Sequence, residues 1–183
     1  MTAIYLVAVG SVDEEILAGI EVCLWQTFGF ATRRLSPLAD PAPAYDSQRH
    51  QYSVIAIMKD LLKQCPADAI RLLAITERDL FIPMLSFVFG QAQLRGKIAI
   101  VSLARLRQEF YGLPASPVLF FSRAVKETVH EMGHTFGLTH CLDRECPMSL
   151  STNIQQVDAK GEAFCTNCTI LLRENLQEMY LGG

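Results

Sequence analysis

The sequence has few of the features that mark nucleic-acid-binding or membrane-spanning proteins. Its net charge is −3 over 183 residues, and no basic stripe is present. The longest stretch without a charged residue, 80–94, contains a proline and a glycine, and it is shorter than the roughly 20 apolar residues that a membrane helix needs. We therefore expect neither nucleic acid nor a membrane as a partner.

A recognisable export signal is also lacking. Met1–Gly10 is apolar, but it has no cationic start and no convincing cleavage site. Within it, Ile4–Val9 is a continuous run rich in β-branched residues, which is typical of a buried strand. These observations predict a cytoplasmic location, in which the six cysteines are thiols or metal ligands more often than disulfides.

Half of the residues are apolar and 19% are charged, which suits one folded domain with a sizeable core. We expect a monomer. Apolar runs and helical patterns alternate along the first half, so the sequence predicts an α/β (α+β) fold, with helices packed on a mixed sheet. The predicted strands are Ile4–Val9, Phe30–Leu35, Ala69–Thr76, Phe87–Ala92 and Lys97–Leu103; the predicted helices include one that ends near Phe28, Gln51–Lys63, and Ile170–Tyr180.

Histidine is scarce, and three of the four histidines fall in one stretch, His130-Glu-Met-Gly-His-Thr-Phe-Gly-Leu-Thr-His140. His130 and His134 share a helix face, Gly137 can end the helix with a positive φ, and the reversed chain can bring back His140. Three imidazoles beside the carboxylate of Glu131 predict a catalytic zinc site with one open position. Iron or cobalt could use the same ligands. The alternative to a metal site is an ordinary helix in which the histidine spacing has no functional meaning.

The helix that carries this stretch is predicted to begin at Ser122. One of its faces is apolar and belongs in the core, while the opposite face carries the candidate site residues. The apolar positions are Val125, Val129, Met132 and Phe136. The candidate site positions are Glu127, His130, Glu131 and His134.

Four of the six cysteines lie in 141–168: Cys141, Cys146, Cys165 and Cys168. Cys165 and Cys168 form a tight Cys-x-x-Cys pair, and the set suits a closed tetrahedral zinc that stabilises a segment with little core of its own. Two disulfides or redox thiols are the alternatives. We therefore divide the chain into 1–140, which ends at the third histidine, and 141–183, a zinc-binding C-terminal subdomain. Met148, within this segment, is either ordinary core or an apolar floor beneath the first metal.

The stretch from His130 to His140 matches the HExxHxxGxxH pattern of metzincins, and Met148 is placed like the methionine of their Met-turn. His140-Cys141, Cys146-Pro-Met148 and Cys165-Thr-Asn-Cys168 resemble the archaemetzincins more narrowly. The upstream segments Ile75–Leu80, Phe87–Gly90 and Ile100–Arg105 also resemble that family, so the likeness covers most of the chain.

This resemblance implies a metzincin-like zincin fold, with a twisted mixed sheet, an antiparallel edge strand and a small C-terminal subdomain. It also implies a metallopeptidase with two zinc ions, one catalytic and one structural, that acts on a peptide or protein substrate. Phe87–Ala92 would be the edge strand that pairs with the substrate. No tyrosine follows Met148 closely, although some metzincins use one to support the transition state. The alternatives are a zinc protein that binds a peptide without cutting it, and a hydrolase of another amide or ester.

Overall fold

The computed structural model describes residues 2–181, which form a central sheet with helices on both faces. Three 3₁₀ turns, at Ala42–Ala44, Ala104–Leu106 and Gln108–Tyr111, lie between the longer elements. The strands are β1 (Ala3–Val9), β2 (Thr32–Arg34), β3 (Tyr45–Asp46), β4 (Gln51–Ser53), β5 (Ala69–Thr76), β6 (Leu80–Phe81), β7 (Gly90–Ala92) and β8 (Ile98–Ser102). The helices are α1 (Glu14–Phe28), α2 (Val54–Gln64), α3 (Pro117–Thr135), α4 (Ile154–Ala159) and α5 (Thr166–Leu181).

The main sheet has five strands in the order β2-β1-β5-β8-β7. Its first four strands run parallel, and β7 pairs antiparallel with β8 at one edge. The predicted mixed sheet with an antiparallel edge strand is therefore confirmed. The edge strand is shorter than the predicted Phe87–Ala92, because the N–H of Val88 donates to the carbonyl of Leu80 instead of pairing along β8.

A second, three-stranded sheet has the order β3-β4-β6. Its middle strand occupies residues 51–53, so the prediction of a helix from Gln51 was wrong by three residues. The backbone of this stretch pairs with segments that are distant in sequence: Tyr52 is in register with Leu80 and Tyr45. Such long-range pairing overrides the helical periodicity that the local sequence suggests.

The two faces of the main sheet hold two cores. On one face α1 and α3 pack through Ile20, Leu24, Ala124 and Met132. On the other face α2 packs through its own buried apolar positions. Val157 of α4 and Leu172 of α5 join the α1–α3 side, so the C-terminal segment shares that core. Among the described residues, none of the helices is long and apolar enough to cross a membrane.

Helix α3 begins earlier than predicted. Pro117 occupies the first turn after Ser116, a position in which its missing N–H costs nothing, so Ser122 lies inside the helix and not at its cap. The hydroxyl of Ser122 instead donates to Glu162. The predicted core positions Val125, Val129, Met132 and Phe136 are all buried. The opposite face is largely buried as well, because α4 and the edge strand cover it.

Candidate metal centre

The end of α3 is shaped by Gly137. Its φ of 92° is in the left-handed region, its N–H donates to the carbonyl of His134, and the N–H of Leu138 donates to the carbonyl of Gly133. This pair of bonds is the Schellman motif, in which glycine is favoured because a Cβ would be strained. The reversed chain then carries His140 back towards the last turns of the helix.

The three histidines that the sequence singled out converge. The ring-nitrogen positions of His130, His134 and His140 that could hold an ion all lie within 4.8 Å of one another. The Nε2 atoms of His130 and His134 are 3.1 Å apart. Two nitrogens at zinc–ligand distance on a tetrahedron are separated by about 3.3 Å, so the donor set fits a zinc ion.

Backbone carbonyls orient two of these rings. The Nδ1–H of His130 donates to the carbonyl of Pro147, and the Nδ1–H of His134 donates to that of Leu138, each at 2.7 Å. Both bonds leave Nε2 free to face the third ring. Burial lowers the pKa of His130 well below its ordinary value, and it also lowers the pKa of His134 and His140. Neutral imidazole is the form that binds metal.

Glu131 is buried beside the histidines. Burial raises the pKa of its carboxyl well above the ordinary value; the charge of Glu127, one turn earlier, raises it further, and Lys160 opposes both. A cation bound between the histidines would favour the ionised form. The carboxylate could then accept a proton.

Glu127 itself forms a buried ion pair with Lys160. Their Oε1 and Nζ atoms are 3.1 Å apart, and the side chains are 3% and 1% exposed. Burial raises the pKa of Glu127, and the lysine beside it acts in the opposite direction. This pair connects the turn of α3 before the histidines to the end of α4.

A cleft of about 280 Å³ opens in front of the histidines. One wall is the segment 82–92, which ends with β7. The other wall is the segment 150–152, which follows Met148. Glu127, Glu131 and the three histidines line the cleft, whereas no tyrosine is among the described residues that do so. The edge strand therefore faces the candidate metal centre across a space that an extended peptide could enter.

Gly90 of the edge strand lies directly against Glu131. A Cβ added at Gly90 would be 2.6 Å from Cγ and 2.7 Å from Oε1 of Glu131, and 2.7 Å from the carbonyl oxygen of Ile100. Because one of these neighbours is backbone, the strand cannot move away without breaking its pairing with β8. The absence of a side chain at Gly90 thus permits the observed position of the Glu131 carboxylate.

Gly90→Ala is therefore expected to displace Glu131 and to lower kcat by about 10²-fold, since a misplacement of about 1 Å can have such an effect. The measurement is kcat on a cleaved peptide, with the metal content determined in parallel. Gly112→Ala is the matched control, because a Cβ there meets open space and only the left-handed backbone is strained. A Gly90→Ala variant with wild-type kcat would contradict the assigned contact.

Met148 lies beneath α3 at the level of the histidines. It is fully buried, and its Sδ would be 2.5 Å from a Cβ placed on Gly133, which lies between the two helical histidines. The thioether therefore packs against the bare helix backbone. Met148 therefore belongs to the core, and its role as an apolar floor beneath a metal stays a prediction.

The four C-terminal cysteines also converge. The sulfur atoms of Cys141, Cys146, Cys165 and Cys168 lie within 4.8 Å of one another, and all four residues are free thiols. The Sγ atoms of Cys141 and Cys165 are 3.8 Å apart. Sulfurs about 2.3 Å from a central zinc would be separated by about 3.8 Å, so the group fits a tetrahedral zinc site and not two disulfides.

The thiol environments differ within this group. Burial raises the pKa of Cys146 and Cys168, whereas the backbone N–H of Cys168 lowers the pKa of Cys165. A bound cation would stabilise all four thiolates together.

Three features of the site were missed by sequence reasoning: the contact of Gly90 with Glu131, the packing of Met148 on Gly133, and the partner of Glu127. Lys160 lies 33 residues from Glu127 and has no motif around it, so no local signal could have identified it. In the closing helix, which was predicted at Ile170–Tyr180, Leu172 is buried but Leu171 is half exposed. The fourth histidine, His50, is exposed, away from the cleft.

Comparison with known proteins agrees with this geometry. A family model described as peptidase family M54 matches residues 39–174. The archaemetzincin of Methanocaldococcus jannaschii is 41% identical over 167 residues, which cover 91% of this chain and 90% of that protein. The archaemetzincin of Methanopyrus kandleri is 46% identical over 137 residues, which cover 75% and 74%.

Solved structures are similar over nearly the whole chain. The crystal structure of the Methanopyrus kandleri archaemetzincin has a TM-score of 0.83 at 39% identity and covers 97% of this chain and 96% of that one. A zinc-dependent peptidase from Methanocorpusculum labreanum has a TM-score of 0.83 at 30% identity and covers 93% of this chain and all of that one. With its converging histidines and cysteines, and with these relatives, the chain belongs to peptidase family M54, the family of the archaemetzincins.

Proposed function

We propose that the protein is a zinc metallopeptidase that hydrolyses peptide bonds in the cleft in front of His130, His134 and His140. One observation carries this proposal: the buried carboxylate of Glu131 lies between three converging imidazoles and the edge strand. The family relationship and the similarity to a zinc-dependent peptidase of known structure support it.

Each residue has a role in this proposal. The three histidines hold the ion, with the rings of His130 and His134 fixed by their bonds to backbone carbonyls. When bound, zinc supplies a Lewis acid that polarises the scissile carbonyl and lowers the pKa of water. Glu131 accepts a proton from the attacking water and delivers it to the leaving amine. Gly90 leaves room for that carboxylate.

The edge strand binds the substrate backbone. The carbonyl of Phe89 and the N–H of Gln93 bond to β8, so by alternation the backbone groups of Gly90 and Ala92 point away from the sheet. These groups can pair with an extended peptide as an added strand. The substrate then passes Glu131 and the histidines with its backbone aligned.

The test is turnover of a diverse peptide library by the zinc-loaded protein, with and without a chelator. Chelator-sensitive cleavage is the expected result, and addition of zinc restores it. Binding of peptides without any product, in protein that carries its full metal content, would support the non-catalytic alternative. Cleavage of amide or ester compounds other than peptides, with no peptide product, would support the other hydrolase.

We further propose that each chain binds two zinc ions, the second held by the four cysteines. Cys165→Ser is expected to lower the zinc content from two ions to one and to unfold the C-terminal segment, because metal binding in small zinc domains contributes about 10–16 kcal/mol. Elemental analysis and limited proteolysis measure the two effects. Cys65→Ser, a thiol outside the cluster, is the control. Two zinc ions retained in Cys165→Ser would contradict the assignment.

The division into 1–140 and 141–183 remains a proposal; the contacts of Cys146, Val157 and Leu172 with the α1–α3 core favour a single compact unit built from both parts. The monomeric state, the cytoplasmic location and the lack of a nucleic-acid partner remain predictions from the sequence.

A further inference from the structure

An apolar groove lies on the opposite side of the edge strand from α3. We call it the α2 groove; it has a volume of about 630 Å³ and lies between α2 and the segment 82–84. Ile55, Leu62 and Met84 line it and are 47%, 51% and 91% exposed. Exposed apolar side chains that cluster around a groove indicate a binding surface more than scattered ones do.

The α2 groove is continuous with the cleft. Ile82, Gln91 and Ala92 line both, so β7 forms the boundary between them. A Cβ on Gly90 would point towards Glu131 of α3, and the next side chain of the strand, Gln91, therefore points towards the α2 face. The strand thus has one face at the candidate metal centre and the other at the groove.

A peptide paired with Gly90 and Ala92 would follow the same alternation. Its successive side chains would point in turn to the α3 face, where the histidines and Glu131 lie, and to the α2 face, where the groove lies. The lining on the α2 face consists mainly of aliphatic and thioether side chains, with Lys59 as its one charged residue and two glutamines, Gln91 and Gln93. A charged substrate side chain would lose its hydration there without a buried partner, whereas an apolar one would leave water.

We propose that the α2 groove is a specificity subsite that binds an apolar side chain of the peptide substrate, on the stretch that pairs with β7. The inference rests on the proposed peptidase function for the identity of its occupant. The groove, and not the metal centre, then selects among peptides whose backbones pair equally well.

The test separates binding from turnover by using zinc-loaded Glu131→Gln protein. The probes are fluorescein-labelled decapeptides in which a single leucine is moved along an otherwise Ser/Ala sequence. Fluorescence anisotropy is expected to show one position at which leucine tightens binding at least fivefold. Adding Ile55→Gln and Leu62→Gln should reduce this preference to less than twofold, and Met84→Gln, a loop substitution at a highly exposed site, should weaken it in the same direction.

Val22→Gln is the matched control, because Val22 is a similarly exposed apolar residue on α1. It should leave the leucine preference unchanged.

A leucine preference that persists in the Ile55→Gln/Leu62→Gln protein would overturn the groove assignment while leaving the peptidase proposal intact. Failure of the wild-type protein to cleave any peptide would instead overturn the peptidase proposal. The binding assay does not depend on cleavage, so it would still show whether the groove binds an apolar side chain. A wild-type dimer in sedimentation that becomes monomeric in the double variant would also overturn the inference, since the groove would then bind a second copy.

Discussion

Glu131→Gln is expected to keep the zinc of the histidine site and to lose about 10²–10⁴-fold in kcat, the usual contribution of a general base. Glutamine preserves the shape of the side chain beside Gly90, so the cleft and the three imidazoles are undisturbed. It cannot accept the proton of the attacking water. The loss therefore falls on kcat, while zinc content and peptide binding stay near their wild-type values.

The measurement is kcat and KM on a peptide from the library, together with elemental analysis of the same preparation. Glu174→Gln, an exposed glutamate on α5, is the matched control and should be indistinguishable from wild type. If Glu131→Gln cleaved the peptide at the wild-type rate, the carboxylate would have no part in proton transfer. If zinc were lost as well, Glu131 would be a ligand or a support for ligands.

Lys160→Met is expected to lower the free energy of unfolding by about 3–5 kcal/mol, which is the effect of removing one partner from a buried ion pair. The carboxylate of Glu127 would remain buried, without the ammonium that now lies 3.1 Å away. The desolvation that already raises the pKa of Glu127 would then be opposed by less positive charge. The measurement is guanidinium unfolding of the zinc-loaded protein, followed by circular dichroism.

The double variant Glu127→Leu/Lys160→Met is expected to recover most of the lost stability, because apolar side chains can replace both charges of a buried pair. Lys63→Met breaks the exposed pair of Lys63 with Asp60 and should cost less than about 1 kcal/mol. A Lys160→Met protein as stable as the Lys63→Met control would show that the buried pair contributes little. A double variant as unstable as Lys160→Met would attribute the loss to packing and not to charge.

The sequence was most informative where the chemistry is local. His130, Glu131 and His134 lie within five positions on one helix, and Gly137 creates the bend by its own backbone freedom, so spacing alone predicts how the ligands converge. The long buried strand at 69–76 was predicted with the observed bounds, since an apolar stretch interrupted by a single charged residue, Arg71, and lying between polar ends has few alternatives.

Features that depend on distant parts of the chain could not be predicted in this way. The residues of β4 were predicted to form the first turn of a helix. Their strand partners at 45–46 and 80–81 have no effect on the periodicity of the local sequence. The pairs Gly90–Glu131 and Glu127–Lys160 join residues that are 41 and 33 positions apart. Only the folded arrangement of the edge strand and α4 around α3 brings these residues together.

The bond from His130 to the carbonyl of Pro147 has a consequence for how the protein is assembled during synthesis. A nascent chain that ends at His140 already contains every nitrogen of the candidate centre, yet the first imidazole has no acceptor to fix its direction. Pro147 lies between Cys146 and Met148, in the loop that the four thiolates are proposed to gather around zinc. We therefore expect the chain to gain peptidase activity only after the four thiolates have bound their zinc. An incomplete chain on the ribosome would then not cleave neighbouring proteins.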